Sequence, residues 1–534
     1  MAAPGAVSAV VHATTAEVPL LDAAAARAGD EAAVATGDTW LGLMERAGGH
    51  LARGVVRLAG RGYGLRVAIL VGKGNNGGDG WVVARRLAAY GAQAWVVATH
   101  GPDEELSDES AVNRDRWLAS GGRVSWELDD LDAALAWADV GVDALLGTGV
   151  SGAPRGAAAT AAAGLLSARG RGLPIVACDI PSGVDADDGA APEGAVVADL
   201  TVTFGGMKRG LVLHPGAAHA GEVVVADLGP GFVPPAGTWM ALSALGAAPA
   251  ALGVAADKRE RGVVLVVAGA VGTSGAAALC SAGALAAGAG LVTVAVPEPI
   301  RAEVALHHPS AMVHGLPVGP DGTLSADAVH ALPDLDGFDA VVAGPGLGHG
   351  PGTAAVVAHL RRGARRLVLD ADAINVHRDE PDALADHAGV LVLTPHEREL
   401  ARIGGGADGR DAWVNRVARV PDLAARYDAI LVAKGPGTIV AAPDGRVWVT
   451  PGGGPALGSG GTGDVLAGIV GAAIAPVSPD GVALAVARAV WWHAAAGVRA
   501  GEDRDGRATA VDLLAALPRV LGDLGERCDL GEKS

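Results

Sequence analysis

RVAILV-GKGNNGGDG-WVVARRLAAYG-AQAWVVAT, residues 66–99, reads as a short apolar strand, a glycine-rich turn, a helix and a second strand. Strands that are apolar along their whole length are covered on both faces, and a helix joining two of them makes a parallel βαβ unit. The pattern recurs through VDALLG (142–147), PIVACD (174–179) and LTVTF (200–204). It returns in VVLVVA (263–268), LVTVAV (291–296), DAVVAG (339–344), RLVLDA (366–371), VLVLTP (390–395) and AILVAK (429–434). The expected fold class is therefore α/β, in two domains with parallel sheets, with ligands at the carboxyl ends of the strands. Between 229 and 256 the chain becomes Pro/Gly-rich and then Ala-rich, so the domains are set at 1–231 and 257–534 with a linker over 232–256.

Composition bounds the function. The 534 residues carry a formal net charge of −18 and only 19% charged residues, with a mean hydropathy of +0.33. This excludes a disordered chain and argues against nucleic-acid and polybasic membrane binding. Three widely spaced cysteines (178, 280 and 528) give no disulfide framework and no metal-type spacing, as expected of a cytoplasmic protein. The uncharged run 262–297 is long enough for a membrane span, but its glycines divide it into strand, loop, helix and strand. Only five of the 41 basic residues are lysine, at 73, 208, 258, 434 and 533. The excess of Arg fits a G+C-rich coding sequence, which makes the surviving lysines candidates for specific roles.

The turn at 72–80 satisfies a dinucleotide fingerprint through Gly72, Gly74 and Gly77. The carboxylate that should end the next strand to hold a ribose is missing, since that strand ends in Thr99 and His100, and this disfavours a hydride-transfer domain. The loop also carries Asn75, Asn76 and Asp79, more polar groups than a phosphate cradle needs. Asp143 and the segment Asp179-Ile180-Pro181-Ser182-Gly183 lie at later strand ends. Together they offer carboxylates, an amide oxygen and a hydroxyl, suited to a hard monovalent cation and one general base. Cys178 reads as a buried strand residue.

GKGNNGGDG, VDALLGTG, CDIPSGVDADDG and TVTFGGMKRGLVLHPG (201–216), in that order, resemble the NAD(P)HX epimerase domain over roughly 17–230, LMERAG (43–48) included. The resemblance implies a Rossmann-like three-layer sheet that interconverts the R and S epimers of hydrated NADH or NADPH. It would place substrate against Asn75, Asn76, Gly77, Gly78 and Asp79, and against Gly147, Thr148, Gly149, Val150, Ser151, Gly152 and Ala153. It further implies K⁺ on Asn76, Asp143 and Ser182, Asp179 as a catalytic residue contacting substrate, and Lys208 facing substrate or the sheet edge.

In the second half, GSGGTGDVLAG (458–468) opens an apolar helix. Backbone N–H groups of Gly461, Thr462 and Gly463 can form an anion hole, and Asp464 is placed to take a proton from a hydroxyl. No P-loop and no protein-kinase loop is present. With GPGLG (344–348), LDADAIN (369–375), LTPHERE (393–399) and AKGPGT (433–438), this loop resembles the ribokinase-like fold. More narrowly, it is similar to the ADP-dependent NAD(P)H-hydrate dehydratases over roughly 257–520. The resemblance implies phosphoryl transfer to the substrate hydroxyl, elimination, and release of AMP and phosphate. Lys434, Gly435, Pro436, Gly437, Thr438 and Gly463 would bind ADP, and Asp464 would be the catalytic base in contact with substrate. Ala276, Gly346 and His396 would lie against the hydrated cofactor, with Asp370 and Glu399 near Mg²⁺ or its waters. The chain departs from that family at Gly454-Pro455 and Gly458, where Asn-Pro and Ala are usual, and at Glu397-Arg398, where Pro-Gly is usual.

The expected function is thus a fused epimerase and dehydratase repairing hydrated NAD(P)H, its partners being NADHX, NADPHX, ADP and further copies of the chain. Two other readings stay open at this point: a ribokinase-like small-molecule kinase, and a non-catalytic binding scaffold in the first domain.

Overall fold

The computed structural model describes residues 15–249, 256–320, 322–404, 411–502 and 504–531. The chain forms two compact units: among the described residues one holds Val18–Trp239, and the other holds 15–17 and the residues from Met240 onward.

The first unit is built on a seven-stranded sheet, parallel throughout. Its spatial order is Arg123–Ser125, Gln93–Ala98, Arg66–Val71, Val140–Ala144, Ile175–Cys178, Leu200–Phe204 and Glu222–Ala226. Strand alternation explains why the sequence runs are apolar without interruption. Val67, Ile69 and Val71 point into one core, while Ala68 and Leu70 point into another on the opposite face. Helices Trp40–Ala59 and Asn75–Ala89 contribute to the first core and Gly156–Gly170 to the second, giving three layers. The order reverses between Arg66–Val71 and Val140–Ala144, so the loops after these two strands, carrying Asn76 and Gly147, open at the switch point where ligands bind in such sheets. A short strand, Glu17–Leu21, pairs in parallel with Met207–Lys208, with Leu21 opposite Lys208.

In the second unit seven strands are parallel, in the order Met312–Leu316, Leu291–Pro297, Val263–Val267, Ala340–Ala343, Arg366–Leu369, Val390–Leu393 and Ala429–Ala433. Two antiparallel strands, Thr438–Ala441 and Val447–Thr450, follow. The segment expected as a linker contains a strand, Trp239–Leu242, which pairs with the last of these through Met240 and Trp448. Its four residues are flanked by Pro/Gly turns, too short for a periodic signal; residues 250–255 of that segment lie outside the described residues. The switch point here lies between Val263–Val267 and Ala340–Ala343.

The uncharged run 262–297 is a strand, the helix Ser274–Ala286 and a strand. Its lack of charge is explained by the helix Thr462–Ile474, which packs directly on Ser274–Ala286. A Cβ on Gly468 would stand 1.9 Å from the carbonyl oxygen of Cys280, and one on Gly283 would stand 2.4 Å from that of Val465. The two backbones touch where glycine leaves room. One further helix, Pro479–Gly501, is by length and composition apolar enough to cross a membrane, and most of it is buried in the protein.

Because the Cys280 carbonyl belongs to a helix and cannot yield, Gly468→Ala should destabilise the second unit by about 1–3 kcal/mol. Equilibrium denaturant unfolding measures this, and an unchanged midpoint would contradict the packing account.

Candidate functional sites

In the first unit the glycines of the 72–80 turn are dictated by backbone approach. A Cβ on Gly72 would lie 2.0 Å from the Leu145 carbonyl oxygen, and one on Gly77 would lie 2.0 Å from that of Gly72. This closeness brings Asn76, Asp143 and Ser182 together around one backbone residue, Leu146. Asn76 Nδ2 donates to the Leu146 carbonyl at 2.9 Å, and the Leu146 N–H donates to Ser182 Oγ at 2.9 Å. Asp143, fully buried, accepts from Ser182 Oγ at 2.6 Å and from the Ser182 N–H at 2.8 Å. Burial pushes its carboxyl up to about 6 against those hydrogen bonds. An enclosed carboxylate with only neutral donors, beside an amide and a hydroxyl oxygen, is a donor set that fits a monovalent cation. Among the described residues no group of three or more His, Cys, Asp and Glu could hold a metal.

Asp179 sits just past its strand with φ of +64°, a left-handed conformation that non-glycine residues adopt at a cost. Its Oδ1 accepts from Lys208 Nζ at 2.6 Å, from Thr203 Oγ1 at 3.0 Å and from the Phe204 N–H at 3.0 Å. The Lys208 side chain is enclosed at 2% exposure, whereas that of Asp179 keeps 15%. Lys208 also donates to the Phe204 carbonyl at 2.7 Å. Asp79 is buried and accepts from Cys178 Sγ at 3.8 Å. Burial, reinforced by Asp179, holds its carboxyl well above the ordinary range. Of the residues expected to touch substrate, Asn76, Gly77, Gly78 and Asp79 are buried, and Asn75 is exposed. Gly149, Val150, Ser151, Gly152 and Ala153 form an exposed loop, Gly147 and Thr148 being half-buried at its root. Gly147 stands against Asn76, where an added Cβ would meet its Cβ at 3.3 Å.

The second unit repeats the motif with the roles of the pair exchanged. Asp370 Oδ1 accepts from Lys434 Nζ at 2.7 Å and from Thr394 Oγ1 at 2.7 Å. Here the Asp370 side chain is enclosed at 2% exposure and Lys434 keeps 19%. Burial opposes the Lys434 ammonium, but Asp370, Glu399 and Asp464 together carry it above the usual lysine range. The anion-hole loop lies over it, since a Cβ on Gly463 would stand 3.5 Å from Lys434 Nζ. Asp464 follows in the first turn of its helix, and burial together with Asp370 pushes it up to about 7. Ala276 and Gly346 meet at the switch point, with Thr273 Oγ1 donating to the Gly346 carbonyl at 2.7 Å.

His396 is the N-cap of helix Glu397–Ile403, its Nδ1 accepting from the Arg398 and Glu399 N–H groups, while the Glu399 carboxylate accepts from the His396 N–H at 2.9 Å. This capping box turns Glu399, buried, back onto the helix start; His396 Nε2 lies 3.3 Å from Glu399 Oε1. Both hydrogen bonds to Asp370 fall on one oxygen, so of the two carboxylates expected near Mg²⁺ it is the less closed.

Sequence reasoning missed the supports. His493, buried in helix Val482–Gly501, is held down to about 4 by burial and is therefore neutral. Its Nε2 donates to the Thr462 carbonyl at 2.8 Å and so fixes the glycine-rich turn at the start of helix Thr462–Ile474. Arg416 donates to the carbonyls of Pro436 (2.6 Å) and Gly437 (2.7 Å), shaping the loop that carries Lys434. A lone histidine amid WWHAAAG was the only available sign of the first, and nothing in the spacing marks the second.

The family comparisons agree with this two-part layout. Residues 41–210 match the family described as YjeF-related protein N-terminus, and residues 264–519 match NAD(P)H-hydrate dehydratase. The chain is similar to the bifunctional NAD(P)H-hydrate repair enzyme Nnr of Moorella thermoacetica, 37% identical over 91% of this chain and 93% of that one. It is likewise similar to that of Salinibacter ruber, 38% identical over 95% and 96%. A solved structure of the ADP/ATP-dependent NAD(P)H-hydrate dehydratase from Bacillus subtilis, co-crystallised with ATP/Mg²⁺, is 27% identical with a TM-score of 0.44, covering 52% of this chain and 96% of that one.

Lys434→Met would leave Asp370 enclosed without its counter-charge and should cost about 3–5 kcal/mol of stability. Adding Asp370→Asn should return most of that loss. Denaturant unfolding of both variants measures it, and losses that simply add would contradict the pairing.

Proposed function

Since the chain belongs to the family of bifunctional NAD(P)H-hydrate repair enzymes, we propose a division of labour in which the domain expected over 1–231, centred on the first unit, exchanges the R and S epimers, and that expected over 257–534, centred on the second, removes water from the S form. The function as a whole is repair of hydrated NADH and NADPH, by epimerase and dehydratase activities. The observation that carries the assignment is the contrast between the two Lys–Asp pairs. The first unit leaves the carboxylate of its pair accessible, and the second leaves the ammonium. A carboxylate suits proton transfer at a hydroxyl-bearing carbon, whereas an ammonium beneath backbone N–H groups suits a phosphoryl group.

In the first unit Asp179 is the acid–base group, with Asn75–Asp79 and Gly147–Ala153 around the substrate. K⁺ is the cation for Asn76, Asp143 and Ser182; bound there, it would neutralise Asp143 and steady the two switch-point loops. In the second unit ADP is the phosphoryl donor, bound along Lys434–Thr438 with its transferring group at Gly463. Asp464 takes the proton from the substrate hydroxyl, and Ala276, Gly346 and the Nε2 side of His396 line the hydrated nicotinamide. Loss of phosphate from that carbon, together with a proton from the adjacent ring carbon, then restores the ring double bond. Mg²⁺ would arrive with the nucleotide phosphates, as this ion does when one or two carboxylates and substrate oxygens hold it, and Asp370, whose two hydrogen bonds both fall on Oδ1, would offer it the other oxygen. Work in the cytoplasm as a homo-oligomer belongs to the same proposal.

Asp464 must be ionised to act as base, and its carboxyl stands at about 7. Nucleotide-dependent dehydration should therefore rise with pH through about 7 and fall roughly tenfold per unit well below it. Asp464→Asn should lower kcat by about 10²–10⁴ and leave epimer exchange intact. A pH-independent rate between 5.5 and 8, or an active Asn variant, would contradict the base assignment. A stable phosphorylated product in place of AMP and free phosphate would instead indicate a small-molecule kinase.

A further inference from the structure

Helix Ala23–Ala35 buries Ala25, Ala26, Gly29 and Ala33. Asp30 stands four residues after Ala26 and three before Ala33, so helical periodicity puts this carboxylate on the buried face. Its Oδ1 is enclosed and has no hydrogen-bond partner among the described residues. An acid in such a place costs stability unless it serves some other purpose.

The helix is fixed to the elements that carry the epimerase pair. Leu21, just before it, pairs with Lys208 itself, and Asp22 at its N-cap forms an ion pair with Arg209 at 2.7 Å. Two turns on, Gly29 and Gly205 both stand against the ring of Phe232, where a Cβ on either would fall 2.4 and 2.5 Å from its Cε2. Gly205 follows Phe204, whose N–H donates to Asp179 and whose carbonyl receives Lys208. Asp30 is thus held beside the turn that shapes the pair. The charged groups acting on it are Lys208 and Asp179 from that turn and strand end, Asp79 from helix Asn75–Ala89, and Glu31 from its own helix.

We propose that Asp30 is a positioning residue of the epimerase site, whose own charge sets the field around the Lys208–Asp179 pair while Asp30 itself does not touch substrate. The inference rests on the epimerase reading of the first unit. Burial, opposed by Lys208 and reinforced by Asp179, raises the Asp30 carboxyl to about 6. Above that pH it is ionised, and a second negative charge competes with Asp179 for the Lys208 ammonium, loosening the hold of Lys208 on the Asp179 carboxylate. Below it, Asp30 is neutral and Lys208 acts on Asp179 alone. This gives epimer exchange a pH switch in the physiological range without a histidine.

The test is the rate of R-to-S exchange by the full-length protein on separated R epimer of hydrated NADH, without nucleotide, from pH 5 to 8.5. The wild type should show an inflection near 6, with the faster plateau above it. Asp30→Asn should lose the inflection and run at every pH near the low-pH plateau of the wild type, with kcat reduced and KM for the R epimer unchanged. Asp30→Glu should restore an inflection at a displaced pH. An Asn variant that keeps the wild-type inflection, whether or not it is slower, overturns the proposal by reducing Asp30 to a packing residue. If Asn prevents folding, the Glu variant decides, and an undisplaced inflection overturns the proposal. Wild-type protein with no exchange at any pH would instead sink the epimerase reading beneath it.

Discussion

A lysine drawn into contact with an aspartate, one of the two enclosed, at the carboxyl edge of a parallel sheet, is the constraint on which each site depends. Lys208 and Asp179 stand 2.6 Å apart, and Lys434 and Asp370 stand 2.7 Å apart. Neither charge is tolerable alone in such a place, and the pair is tolerable only with further hydrogen bonds. Those bonds come from the chain immediately around it: Thr203 and the backbone of Phe204 in one unit, Thr394 in the other. Satisfying the pair therefore fixes the ends of the strands that carry it and the turns that follow them.

The two units use the same device with opposite polarity. Where the lysine is the enclosed member, the site offers a carboxylate; where the aspartate is enclosed, it offers an ammonium. A further acid in each is lifted by burial and by the paired aspartate, Asp79 in the first and Asp464 in the second.

Much of this was legible in the sequence because two-sided burial writes apolar runs and close backbone approach writes glycine. The eleven quoted runs correspond to strands, and the uncharged run 262–297 is the strand, helix and strand expected of it. The glycines at 72 and 77 mark backbones within van der Waals contact. What was illegible was long-range. Glu17–Leu21, Met207–Lys208 and Trp239–Leu242 are strands only because distant partners exist, and short pairings leave no periodicity. His493, Arg416 and Asp30 act through tertiary placement on helices whose sequences are otherwise plain alanine and valine patterns or lack any motif. The scarcity of lysine proved informative for two of the five. Lys208 and Lys434 are the paired residues, while Lys73 forms a half-exposed ion pair with Glu104.

The central claim is that the two pairs serve two activities on one substrate pool. It is tested most directly by supplying separated R and S epimers of hydrated NADH to the full-length protein and to Asp179→Ala, with ADP and Mg²⁺, and following the return of reduced-nicotinamide absorbance. Wild-type protein should recover both epimers completely, and Asp179→Ala should recover S at the wild-type rate and R no faster than uncatalysed exchange allows. Equal, rapid recovery of both epimers by the Asp179→Ala variant would contradict the account.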